Sequence, residues 1–183
     1  EYPEYKDIMM NYHTNNNAID RYQKFFYFVN NILKKKDDKL VIKLVDKFSH
    51  ITDELIKNCI FVKGAKLFLE KIYKKVDIYL LSATPTSNLK KILRYKEIDH
   101  YFKETYGAPI NKIEIINKLV DKHKVKHSEI LYIGDTEEDL LVALETKIHF
   151  IHRQSERIVK KNQYPSFNDF ESITPYFKSN FKI

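Results

Sequence analysis

The chain is predicted to be an α/β protein: a parallel sheet with helices on both faces, joined to a small all-helical region. Three observations predict it. Short apolar runs alternate with helix-periodic segments after residue 64. The first 60 residues carry helical periodicity throughout, with no strand pattern and no glycine. Finally, the apolar run Ile130–Ile133 stops at Gly134-Asp135, and a helical pattern (Leu140, Leu141, Ala143, Leu144) follows. That order puts a carboxylate at the carboxyl end of a buried strand, the edge at which open α/β sheets bind ligands.

Taken in order, Phe25, Phe26, Val29, Ile32 and Leu33 keep helical spacing from Tyr22 until the lysine and aspartate run 34–39 breaks it. A second helix places Leu40, Val41, Leu44, Val45, Phe48, Ile51, Leu55 and Ile56 on one face. A helix over 65–73 then leads into the apolar run Val76–Leu81, read as a strand that ends at Ser82-Ala83-Thr84-Pro85. Threonine before proline suits an N-cap and first turn, so a helix is expected from Pro85 to about Tyr95. A short strand near 102–106, a turn at Gly107-Ala108-Pro109 and a helix through Ile113, Ile116, Leu119 and Val120 come next. Ile148–Ile151 supplies another strand, and residues 166–181 read as loop plus a final short helix. The expected division is a helical domain at 1–62 and an α/β domain at 63–183.

Composition narrows the function classes. At 183 residues, 43% of them hydrophobic, the chain can fill one core, or a core and a small appendage. No apolar run approaches a membrane span. The single cysteine, Cys59, excludes an internal disulfide and fits a reducing cytosol. It falls on the apolar side of a helical pattern, which predicts a buried small residue. A net charge of +7 raises a nucleic-acid role, but the lysines are scattered over 34–36, 74–75, 90–91, 122–126 and 160–161. Solvated helix faces account for them, and a mild pull on anionic small molecules is the remaining expectation.

Polar groups at three strand ends point to one chemistry. Ser82 precedes a helix start, where a hydroxyl and unpaired backbone N–H groups can cradle an oxyanion. Lys112 falls in a helix's first turn, where the helix dipole opposes it, so an anion nearby would rationalise it. Asp135 suits a hard cation such as Mg²⁺, which shares oxygen ligands with phosphate. Each has a plainer reading: a turn serine, a solvated lysine, and a Thr136 N-cap with Asp139 in the acidic first turn. Capping leaves Asp135 unexplained.

The series Leu80-Leu81-Ser82-Ala83-Thr84-Pro85, Tyr106-Gly107-Ala108-Pro109 with Lys112, and Gly134-Asp135-Thr136-Glu137-Glu138-Asp139 resembles motifs two, three and four of the haloacid dehalogenase-like hydrolases, in order and spacing. The stretch from Tyr12-His13 through Asp20-Arg21-Tyr22-Gln23-Lys24-Phe25 is similar to the helical cap of the phosphoglycolate-phosphatase-like branch. The resemblance implies a Rossmann-like core and a Mg²⁺-dependent cytoplasmic phosphatase acting on a small phosphorylated metabolite. It implies that Ser82 and Lys112, with Ala83 and Thr84, hold the phosphoryl group, that Asp135 coordinates Mg²⁺ and that Asp139 supports the metal site. His13, Arg21 and Lys24 are the candidates for substrate contact. A phosphomutase and a catalytically inert phosphoryl-binding relative are the alternatives.

The family's first motif, a strand ending in two aspartates one residue apart, does not occur in residues 1–183. The first of that pair attacks phosphorus and the second is the general acid and base. Asp7, Asp20, Asp37 and Asp38 sit in helical or charged surroundings that suit neither role. The missing strand would be the central one, flanked by those ending at Ser82 and Asp135. Each interior backbone bond left unmade costs roughly 1–3 kcal/mol. A nucleophile-bearing segment upstream of Glu1 is therefore expected.

Overall fold

The computed structural model describes residues 2–16, 19–155 and 164–181. Eight helices and five strands are described: α1 (Lys6–Asn15), α2 (Arg21–Tyr27), α3 (Asp38–Asn58), α4 (Ala65–Ile72), β1 (Tyr79–Pro85), α5 (Thr86–Tyr95), β2 (Glu104–Ala108), α6 (Lys112–His123), β3 (Leu131–Gly134), α7 (Glu137–Thr146), β4 (His149–Arg153), β5 (Ser166–Phe167) and α8 (Phe170–Asn180). They form two compact units. The first comprises Glu1–Cys59, Ser82–Lys96 and Gly107–Pro109; the second comprises Ile60–Leu81, Glu97–Tyr106 and Ile110–Ile183. The chain passes from the first unit to the second at Cys59/Ile60, and α5 groups with the N-terminal helices.

In the first unit the helices form because their apolar residues recur every three to four positions. Asp20 and Asp37 cap α2 and α3, each carboxylate accepting a backbone N–H at 3.0 Å. After α2 the chain runs through a π-helical turn, Phe28–Ile32, that buries Phe28 and Val29 against Val41 and Leu44 of α3. The predicted α3 stripe is buried only in its N-terminal half. Phe48, Ile51 and Leu55 are exposed, because the Phe28–Val29 turn is met by the first turns of α3 and not the last. Cys59 is also exposed, contrary to expectation. Helix α3 stops at Asn58 and Cys59 is its extended C-cap, so the helical pattern no longer governs where the thiol points.

In the second unit β3, β4 and β5 form a parallel ladder, with Gly134 opposite His152 and Arg153 opposite Phe167. Its two faces are covered differently. One carries Ile116, Leu140, Val142, Ala143, Ile148 and Phe150; the other carries Ile151 with Phe68, Ile173 and Phe177. Strands β1 and β2 make a separate two-stranded ladder.

Several bounds differ from the prediction. The strand expected at 76–81 is β1 at Tyr79–Pro85. Val76 lies in the turn that follows α4, its N–H bonded to the Ile72 carbonyl at 3.1 Å. Pro85 is consequently the cap position of α5, and the helix begins one residue later than expected. Strand β2 starts at Glu104 because Phe102 closes a 3₁₀ turn onto Asp99. Residues 130–133 are half-buried and not fully buried. On α7 the inward positions are Asp139, Leu140, Val142, Ala143 and Thr146, which leaves Leu141 and Leu144 exposed. The two-residue strand β5 had no apolar run to announce it. Lys160-Lys161 lies outside the described residues.

Candidate active site

The corner from β3 to α7 builds the second unit's polar centre. Thr136 is the N-cap of α7, and its hydroxyl accepts the Asp139 N–H at 3.2 Å. Asp139 answers with Oδ2, which accepts the Thr136 N–H at 3.2 Å and the Thr136 hydroxyl at 2.8 Å, closing a capping box. The same oxygen accepts the Asp135 N–H at 3.1 Å. Gly134 is glycine because a Cβ there would lie 2.4 Å from Cβ of Asp139. That absent methyl lets the Asp139 side chain fold back over the strand end.

Asp139 Oδ1 faces the opposite way, toward Lys112 Nζ at 2.8 Å and the Tyr132 hydroxyl at 2.6 Å. Lys112 is the first residue of α6, which Asn111 caps through its side-chain carbonyl. The anion that a cation in that turn requires is thus Asp139, with Glu138 3.8 Å away. The side chains of Lys112 and Asp139 are 11% and 8% exposed, so the pair works in low dielectric. Burial pushes the Asp139 carboxyl up, and the hydrogen bonds from Lys112, Tyr132 and Thr136 outweigh it, holding it below its ordinary value. Burial, then the Asp139 charge, pushes the Tyr132 hydroxyl well above its usual range, so it donates and does not ionise.

Asp135 stands at the carboxyl end of β3 with its carboxylate about one-third exposed. Arg153 Nη2 reaches its Oδ2 at 3.1 Å, and the Ser155 hydroxyl donates to its carbonyl at 3.1 Å. His152, beside Arg153, is buried, bonds Ser166 through Nδ1 at 2.8 Å and leaves Nε2 without a hydrogen-bond partner among the described residues. Burial lowers its pKa, and the Asp135 charge opposes that shift.

The structure therefore brings Lys112, Asp139 and Asp135 together. Sequence reasoning missed Tyr132, Arg153 and His152. The rule that selected Asp135 also selects Arg153, which ends the next apolar strand on the same parallel edge.

The remaining predicted residues belong to the first unit. Ser82 lies within β1 and not just beyond the strand as expected, and its Oγ accepts the Thr84 N–H at 3.1 Å. Ala83 and Thr84 continue the strand, and the Thr86 hydroxyl donates to the Gly107 carbonyl at 2.9 Å. Arg21 donates to the Ser49 hydroxyl at 2.7 Å and lies over the Phe48 ring. Burial lowers its pKa while the nearby Asp53 raises it, and Asp53 is held by the Asn88 amide at 3.1 Å. Lys24 is buried, with Nζ 3.3 Å from Nδ1 of His13.

Comparison with known proteins decides the family. The model of the haloacid dehalogenase-like hydrolases matches residues 4–152. The chain belongs to that family. Among solved structures it is similar to a predicted phosphoglycolate phosphatase of Haemophilus somnus (TM-score 0.69, 19% identity, covering 87% of this chain and 79% of that one). It is also similar to a haloacid dehalogenase-like family hydrolase of Streptococcus pneumoniae (0.64, 17%, 86% and 77%). A Thermotoga maritima protein assigned as a β-phosphoglucomutase aligns as well (0.68, 14%, 93% and 83%). No curated protein matches the chain. This haloacid dehalogenase-like hydrolase has no helix, among its described residues, long and apolar enough to cross a membrane.

The donor set fits Mg²⁺ in one respect. Among the described residues no three His, Cys, Asp or Glu side chains cluster to hold a metal. Mg²⁺ uses one or two carboxylates and takes its other ligands from water and phosphate, so such a cage is not required. Asp135 offers an Oδ1 atom with no described partner, whereas both oxygens of Asp139 are engaged.

Proposed function

We propose that this protein hydrolyses a small phosphomonoester with Mg²⁺ as cofactor. The observation that carries the reading is the Lys112–Asp139–Asp135 arrangement, a buried cation and a cation-ready carboxylate fixed by one shared capping carboxylate. Lys112 spends one N–H on Asp139 and keeps others to donate to a phosphoryl oxygen. Asp139 orients Lys112 and the Asp135 backbone and touches no reacting atom. Ser82, with Ala83 and Thr84, is assigned a phosphoryl contact on the family resemblance alone. Asp135 would hold Mg²⁺, which when bound supplies charge neutralisation at the phosphoryl oxygens.

In this reading the acceptor of the phosphoryl group is an aspartate upstream of Glu1, as the family resemblance implies. The helices of residues 1–62 act as the cap that selects the substrate, with His13, Arg21 and Lys24 as its polar contacts. Water as the second acceptor makes the enzyme a phosphatase, and a second hydroxyl of the substrate would make it a mutase.

The test is phosphate release by the natural full-length protein from a panel of phosphomonoesters, with and without Mg²⁺. Turnover that needs Mg²⁺ and falls by about 10²-fold or more in Lys112→Ala and Asp135→Asn is expected. Absence of turnover across the panel overturns the reading, and transfer without release of phosphate redirects it to a mutase.

A further inference from the structure

The Asp135 carboxylate is already paired with an arginine that no motif calls for. Because β4 runs parallel to β3 with His152 opposite Gly134, the next residue of each strand, Arg153 and Asp135, emerges at the same edge. Arg153 Nη2 lies 3.1 Å from Oδ2 of Asp135, and Nη1 donates to the Gln154 carbonyl at 2.7 Å. The two side chains are 24% and 34% exposed, so water screens the pair only in part. A guanidinium cannot shed its proton at any working pH.

Two consequences follow from charge alone. A divalent cation arriving at Oδ1 of Asp135 meets a carboxylate whose charge is already half spent, with a fixed positive charge beside it. The same guanidinium matches the geometry of phosphate, to which it can donate two parallel hydrogen bonds. Phosphate and Asp135 thus compete for Arg153, and phosphate and the cation do not compete for Asp135.

We infer that Arg153 is the internal counter-ion of Asp135, weakening cation binding in the phosphate-free protein and releasing the carboxylate when a phosphate group draws the guanidinium away. The inference rests on the reading of Asp135 as the cation ligand and adds a regulatory residue to that site. Linkage makes the effect reciprocal: phosphate tightens the cation, and the cation tightens phosphate, by the same factor. Arg153 is a positioning residue in this scheme, because it acts on the cation through Asp135.

The experiment measures Mn²⁺ binding by the decrease of the free-ion electron paramagnetic resonance signal, on natural full-length protein with and without inorganic phosphate. For the unaltered protein, phosphate should tighten Mn²⁺ binding. Arg153→Gln should tighten Mn²⁺ about tenfold without phosphate, the equivalent of about 1.4 kcal/mol, and should shrink the further gain from phosphate to what direct phosphate ligation of the ion supplies. Arg153→Lys keeps the charge and should stay near the unaltered protein. Circular dichroism verifies that each variant is folded, and Arg153→Lys carries the test of phosphate coupling if Arg153→Gln is not.

The proposal is overturned if Arg153→Gln binds Mn²⁺ no more tightly and retains its phosphate gain while Asp135→Asn loses Mn²⁺. Tightening of Arg153→Lys as large as that of Arg153→Gln also overturns it. Undiminished Mn²⁺ binding by Asp135→Asn removes the underlying reading instead.

Discussion

Two strand-to-helix corners, β1 into α5 and β3 into α7, look alike in sequence and are built by different physics. Each carries a hydroxyl residue and a helix start just beyond an apolar strand. At the α7 corner the capping groups are committed: Thr136 and Asp139 cap each other, and Asp139 holds Lys112 and Tyr132. The α5 corner has Pro85 at the cap position with no side chain bonded to the first turn. Its serine spends its hydroxyl locally, on Thr84. One corner is therefore a pre-organised scaffold, and the other leaves first-turn N–H groups without a side-chain cap.

That contrast can be broken at its strongest point by Asp139→Ala. Removing this carboxylate leaves the nearly buried Lys112 ammonium without its main counter-charge, an effect of about 3–5 kcal/mol. Urea unfolding of the full-length protein measures it, and a loss under about 1 kcal/mol would mean that Lys112 readily reaches solvent. A smaller effect sharpens the comparison between the caps. Thr136→Ala should cost about 1 kcal/mol, whereas Ser87→Ala, in the first turn of the uncapped α5, should change stability by under about 0.5 kcal/mol. Equal losses would erase the distinction between the corners.

The smallest effect is one of pH. His152 is buried and its pKa is lowered from the ordinary 6.5, so the unfolded chain takes up a proton there before the folded one does. Stability should therefore fall as pH drops below about 6.5, until the folded histidine itself titrates. The fall should be shallower in His152→Gln, as denaturant midpoints between pH 5 and pH 8 would show.

Much of the α7 corner was legible in the sequence. Thr136 and Asp139 have the spacing of a capping box, and Lys112 sits where the helix dipole demands an anion. Both expectations concern groups a few bonds apart, or a field that depends only on helix direction. Arg153 and Tyr132 were hidden because their roles depend on strand register, which local patterns do not fix. Ser82 was placed just beyond the strand because the apolar run 76–81 was taken as the strand. In the structure that run spends its first residue in the turn after α4, and the extended chain continues to Pro85 beside β2. Leu141 and Leu144 show a related limit: apolar spacing identifies a helix without saying which side is covered.

Cys59, exposed immediately after α3, is the one thiol of residues 1–183 and ends the N-terminal segment of the first compact unit. A maleimide fluorophore or nitroxide would consequently attach at a single defined point without any engineered change. With no tryptophan in residues 1–183, emission above 330 nm would come almost wholly from such a dye. Residues 1–183 thus accept a single probe for rotational measurements.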